Sequence, residues 1–142
     1  MSERRIETYE EFWPFYVREH SDPTNRKLHF VGTSGTILLA ALALVRGKPI
    51  HLLHAAISGY GGAWIGHFFF QKNKPATFKY PLWSLISDFR MYGKIVAGTM
   101  DDEVARAMEA YEREQQESAA PAPAPAEPAQ GDAPEIRRQD LN

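Results

Sequence analysis

The chain has 142 residues, which is room for one domain, and carries 16 basic against 18 acidic side chains. That near-even charge gives no reason to expect a nucleic-acid partner. The absence of cysteine excludes disulfides, thiolate metal sites and a cysteine nucleophile. The mean hydropathy of -0.41 is that of a soluble protein, but it averages two very different regions.

The opening MSERRIETYEEFW is too acidic for a signal peptide and lacks the apolar run of one. Ile6, Tyr9, Phe12, Trp13 and Tyr16 fall at helical spacing and predict an amphipathic helix, in which Pro14 either introduces a kink or sits in the first turn. Leu28 to Val45 follows, 18 residues with one histidine and no formal charge, and after RGKP comes Ile50 to Phe70, also without formal charge. Both approach the ~20 residues needed to cross ~30 Å of hydrocarbon as a helix, and so short a link predicts an antiparallel transmembrane hairpin. Small residues along both runs (Gly32, Ser34, Gly35; Ser58, Gly59, Gly61, Gly62) suit close helix contact in lipid.

Pro81 can start a second amphipathic helix with Leu82, Leu85, Ile86, Phe89 and Tyr92 as its apolar face and with Asp88 and Lys94 away from that face. Trp13, Tyr16, Tyr80 and Trp83 are expected as an aromatic belt at the lipid–water boundary. Asp101 to Glu117 reads as a surface helix docking the stripe Val104, Met108 and Tyr111, with Thr99 or Asp101 as its cap. From Ser118 the Ala-Pro repeats predict an unpacked tail. The expected architecture is therefore all-α. It comprises a helical membrane domain at 5–98, a surface helix at 99–117 and a disordered tail at 118–142.

The five histidines sort by height. His29 lies 19 residues before Lys48 in the turn and His67 lies 19 after it. An antiparallel pair therefore puts both ~28 Å along their helices at the open end. His20 is nine residues before His29 and can fold back to the same level across SDPTNRKL. His51 and His54 sit near the turn, and the stretch from His54 to His67 spans ~20 Å of helix, too far for one coordination shell. Three imidazoles meeting at one depth, two of them on apolar helices, are candidate metal ligands, and their spacing does not choose the metal.

The strings FYVREHSDPTNRKLHFVGT and GYGGAWIGHFFFQKNKPATFKYPLWSL resemble the family of fungal 2-hydroxy fatty acid dioxygenases and their short bacterial relatives. The likeness runs from about Phe12 to Tyr92 and is carried by Phe15, Tyr16, His20, Asn25, His29, Gly66, His67, Pro75 and Ala76. It implies a ferrous-iron, O₂-using enzyme, sited in the endoplasmic reticulum in fungi. That enzyme converts a 2-hydroxy fatty acid to the acid one carbon shorter.

Carried over, His20, His29 and His67 are the Fe(2+) ligands, with Asn25 and Gln71 supporting them. Many relatives have glutamate at the position of Gln71, and a neutral amide cannot act as a general base. The fungal enzymes also have additional apolar sequence in the middle. Arg18, Arg26 and Lys27 are candidates to pair with a substrate carboxylate. The expected partners are a fatty-acyl substrate, O₂ and membrane lipid. The expected location is a multi-pass one, the inner membrane if the chain is bacterial, with cytoplasmic termini. The rival reading is a non-catalytic membrane hairpin or lipid-binding scaffold.

Overall fold

The computed structural model describes residues 5–119. Regular structure among them is entirely helical: α1 (Tyr9–Arg18), α2 (Pro23–Arg46), α3 (Ile50–Ile65), α4 (Pro81–Val96) and α5 (Met100–Ala119). A π-helical turn, Gly66–Gln71, continues α3, and a 3-10 turn, Ala76–Phe78, precedes α4. The expected tail lies outside the described residues except for Ser118 and Ala119, which still belong to α5.

Capping chemistry sets the helix ends. The Thr8 hydroxyl accepts from the Glu11 amide at the start of α1, and Pro14 lies inside that helix, past its first turn. Helix α2 begins five residues before the apolar run. The Asp22 carboxylate accepts from the amides of Thr24 (2.7 Å) and Asn25 (2.9 Å), and Pro23 fits the first helical position. The expected loop SDPTNRKL is thus reduced to a tight turn, with Pro23 to Leu28 already helical. Gly47, left-handed at φ 60°, ends α2.

With 24 residues α2 is ~36 Å long, and among the described helices it is the one both long and apolar enough to cross a membrane. Helices α2 and α3 pack antiparallel because their small residues let the backbones touch. A Cβ on Gly32 would stand 2.8 Å from the Ser58 carbonyl oxygen, and one on Gly62 2.7 Å from that of Leu28. The Thr36 hydroxyl ties the pair by donating across it to the Ala55 carbonyl (2.8 Å).

One expectation changes. The aromatic belt is a packed core: Phe12, Trp13, Tyr16 and Tyr80 are buried with Met91 and Met100, their rings stacked or tilted against one another. Each polar tip has a protein partner, the Trp13 indole donating to Glu103 (3.0 Å) and the Tyr80 hydroxyl accepting from the Ile6 amide (2.9 Å). The sequence left open which face of α4 meets the protein. Ser84, Ser87 and Met91 are buried, whereas Leu82, Leu85, Ile86 and Phe89 are exposed. Its polar stripe faces the protein, and Asp88 is thereby brought inward.

Helix α5 docks Val104 and Ala107 on the aromatic core, and Glu103 locks it in place. The Lys94 ammonium, the Trp13 indole and the Arg106 guanidinium hold the Glu103 carboxyl down at about 2. Its folded value lies below the unfolded one of ~4.3, so this contribution is present above that pH and is lost as the pH falls toward 2. The melting difference between wild type and Glu103→Gln is therefore expected to shrink across that window. A constant difference would show that the carboxylate does not hold α5.

Candidate metal centre

Helix α1 ends at Arg18, and two tight backbone bonds turn the chain so that His20 comes back over Tyr16. The two rings stack with centroids 3.9 Å apart, and His20 Nδ1 donates to the Tyr16 carbonyl (2.6 Å). Arg26, one turn into α2, fastens this bend by donating to the carbonyls of His20 (3.0 Å) and Ser21 (2.7 Å) while pairing with Asp101 (2.7 Å). Arg18 lies over the rings of Phe15 and Tyr111. Two of the three cations expected to meet a substrate carboxylate are thus occupied in holding the fold.

His29 projects from α2 and His67 from the π-helical turn, where the wider i→i+5 winding re-aims the side chains at the end of α3. His20, His29 and His67 are all buried, and one nitrogen from each lies within 4.8 Å of the others. Nε2 of His29 is 3.2 Å from Nε2 of His20 and 3.3 Å from Nε2 of His67. His51 and His54 sit in the first turns of α3, their rings 6.0 Å apart, and do not join this group.

The other ring nitrogens decide the chemistry. His20 Nδ1 meets a backbone carbonyl. His29 Nδ1 meets the Asp88 carboxylate at 3.2 Å. His67 Nδ1 meets Oδ1 of Asn73 at 2.7 Å, and that amide is oriented by its own NH₂ donating to the Glu19 carbonyl (3.1 Å) and carboxylate (2.7 Å). All three partners are acceptors, so all three Nδ1 atoms carry the proton. Three Nε2 lone pairs then face one another without a donor among them. Burial pushes His20 well below the usual imidazole range, with His29 and His67 adding to the effect, so a proton does not readily fill the gap.

A divalent metal answers this arrangement. At the 3.2–3.3 Å that separate His29 Nε2 from each of the other two, a pair of nitrogens can stand ~2.1 Å from a common point at an angle of ~100°, between octahedral and tetrahedral values. The residues present therefore fit a metal ion, and the donor set of three neutral imidazoles suits iron, zinc or copper.

Asp88 and Asn73 were not singled out by their place in the sequence. Asp88 carried a weak signal, as the one carboxylate in α4. Asn73 carried none beyond standing six residues after His67. Tyr16 donates a hydrogen bond to the same Asp88 oxygen that His29 meets. Burial first, and then the Asp88 charge, raise the Tyr16 hydroxyl well above its ordinary value, so it stays protonated as that donor.

The two supporting residues expected from sequence have different positions. Asn25 is fully buried one turn before His29, and neither atom of its carboxamide has a hydrogen-bond partner among the described residues. It packs on Gly66, where a Cβ would come within 2.0 Å of Asn25 Oδ1. Gln71 accepts from the Asp22 amide (2.8 Å) and donates to the Ser21 hydroxyl (2.9 Å), clamping the bend after His20 to the π-helical turn. A glutamate could accept both bonds, with the Ser21 hydroxyl donating. Gln71→Glu is thus expected to retain bound metal within about twofold, and Gln71→Ala to lower it. Metal analysis of the two variants checks this, and a loss in both would place Gln71 closer to the centre.

These features define an all-helical domain with a buried three-imidazole centre able to hold a metal ion. The chain belongs to a family described as 2-hydroxy-palmitic acid dioxygenase Mpo1-like, whose model matches residues 6–100. No curated protein and no solved structure matches it.

Proposed function

We propose that the protein is an iron(II)-dependent dioxygenase that shortens 2-hydroxy fatty acids by one carbon, with His20, His29 and His67 holding the metal through Nε2. The observation that carries the reading is the convergence of three unprotonated Nε2 atoms, each enforced by an acceptor at Nδ1. Family membership supports the choice of iron and of a 2-hydroxy fatty acid. When bound, ferrous iron would supply the activation of O₂ and a Lewis-acidic point for an anionic 2-hydroxy carboxylate.

The chain's own residues do the rest. Tyr16, Asp88 and Asn73 fix the imidazole tautomers and orientations. The Asn25 carboxamide, buried and without a partner among the described residues, is placed to bond a polar ligand beside His29 and His67. Burial of all three histidines keeps bulk water from the reacting group.

The site is proposed to lie at a membrane face, with α2 crossing the bilayer and α3, extended by its π-helical turn, returning. Supporting this, only 22% of the apolar stretch of α2 is buried, unlike the core helix of a soluble domain. Val31, Leu38, Leu44, Leu53 and Ile57 are exposed along the two helices. Arg18, Arg26 and Lys27 on one side of the pair and Lys72, Lys74 and Lys79 on the other outnumber Arg46 and Lys48 in the turn. Both termini are therefore expected in the cytoplasm. A reporter fused after Tyr111 that is active only on the outer side would overturn that orientation.

The test of function is metal analysis of full-length protein purified anaerobically in detergent, followed by O₂ uptake on adding a 2-hydroxy fatty acid. Stoichiometric iron with substrate-dependent uptake is expected. Protein without a transition metal would instead favour a non-catalytic scaffold.

A further inference from the structure

A cavity of about 320 Å³ runs between α2, α3 and α4. Its floor is made by small side chains, among them Ala40 on α2 and Ala55, Ala56 and Ala63 on α3. Ala63 to Leu52 follows ~16 Å of helix, so the cleft is long as well as narrow. Its walls are dry. The Thr36 hydroxyl is consumed by the carbonyls of Gly32 (3.0 Å) and Ala55 (2.8 Å), and the lining includes a single formal charge, Asp88. That charge stands at one end, and the same carboxylate receives His29 Nδ1. A cleft with an apolar body and a charged end at Asp88, the carboxylate behind His29, fits a linear molecule with an apolar tail and a polar head.

We propose that this cleft is the track for the substrate's acyl chain, with its 2-hydroxyl end toward Asp88, whose carboxylate can accept from that hydroxyl, and the methyl end near Ala40 and Leu52. The proposal rests on the dioxygenase reading for the identity of the head group. Leu52 and Leu85 line the cleft while half exposed, so one side is open and a chain can enter sideways from surrounding lipid. Chain length is then set by how much of the cleft beyond Asp88 is free. Ala40, small and at the far end, is the residue that sets it.

The test uses the full-length iron-loaded protein in lipid nanodiscs, kept anaerobic so that ligand is not consumed. The probes are 2-hydroxy fatty acids carrying a photoreactive diazirine either at the methyl end or at mid-chain. Peptide mapping is expected to place the methyl-end label at Ala40 and Leu52 and the mid-chain label nearer Ala63 and Leu85. Labelling that ignores the position of the diazirine, or that falls equally on outward-facing Leu44 and Leu82, would overturn the proposal and leave the cleft to bilayer lipid.

Ala40→Phe provides the second measurement. Methyl-end labelling at Leu52 and turnover of long-chain acids are expected to fall about tenfold or more, with short-chain turnover and iron content retained. An unchanged chain-length profile would also overturn the proposal. If wild-type protein labels in register but never turns over, the enzyme reading fails and the cleft stands. If it turns over but labels out of register, the enzyme reading stands and the cleft fails.

Discussion

Alanine at His20, His29 or His67 is expected to remove nearly all bound metal, whereas alanine at His51 or His54 leaves it within about twofold. The contrast follows from geometry. A buried centre built from three imidazoles and reduced to two loses a third of its protein donors, and alanine offers no replacement. The loss should exceed the ~10–100-fold typical of removing a supporting partner. His51 and His54 stand near the opposite end of α3, thirteen or more residues and ~20 Å from His67. Iron per protein and O₂ uptake with a 2-hydroxy fatty acid, measured on all five variants at matched membrane abundance, separate the two groups. Equal loss in all five would mean that the centre does not hold the metal. Retention of metal and turnover in the first three would remove the enzyme reading altogether.

The second large effect is expected at Asp88, and its chemistry predicts a graded series. Asp88→Ala deprives His29 Nδ1 of its acceptor, frees the ring to adopt the other tautomer and strands the Tyr16 hydroxyl in the core. Metal affinity should drop by ~10–100-fold. Asp88→Asn keeps an oxygen where both donors point and loses only the charge, so it should fall between alanine and wild type. Tyr16→Phe leaves the His29 contact in place and should affect affinity least. Competition against a chelator of known strength reads the order directly. If alanine and asparagine are equally damaging, charge rather than orientation is what His29 requires. If neither lowers affinity, the carboxylate does not position the ligand.

Asp88 also marks where reasoning from sequence stops. The apolar residues of α4 identify a helix with two faces, but not which face meets the protein. In a soluble domain the leucines and phenylalanine would turn inward. Here they are exposed and the serines and Asp88 are turned toward the protein, so that helix is rotated relative to the soluble rule. The aromatic residues near the ends of the long helices posed the same ambiguity. Their rings suit a lipid boundary as well as a core, and the polar partners that chose the core come from elements more than seventy residues away, Tyr80 for Ile6 and Glu103 for Trp13.

What the sequence determined by itself is what depends on a constant rise per residue and on where the small residues fall. Equal counts from Lys48 to His29 and to His67 place them at one height, and His20 is tied to them by its short separation. Glycines mark where two helices can touch. Only the tertiary structure decided rotation and side-chain aim: the π-helical winding that points His67 inward, the turn of α4 that delivers Asp88, and the placing of Asn73 behind His67. The physical reason is that height along a helix accumulates from covalent geometry. The direction of a side chain around that helix is set by which neighbours it packs against.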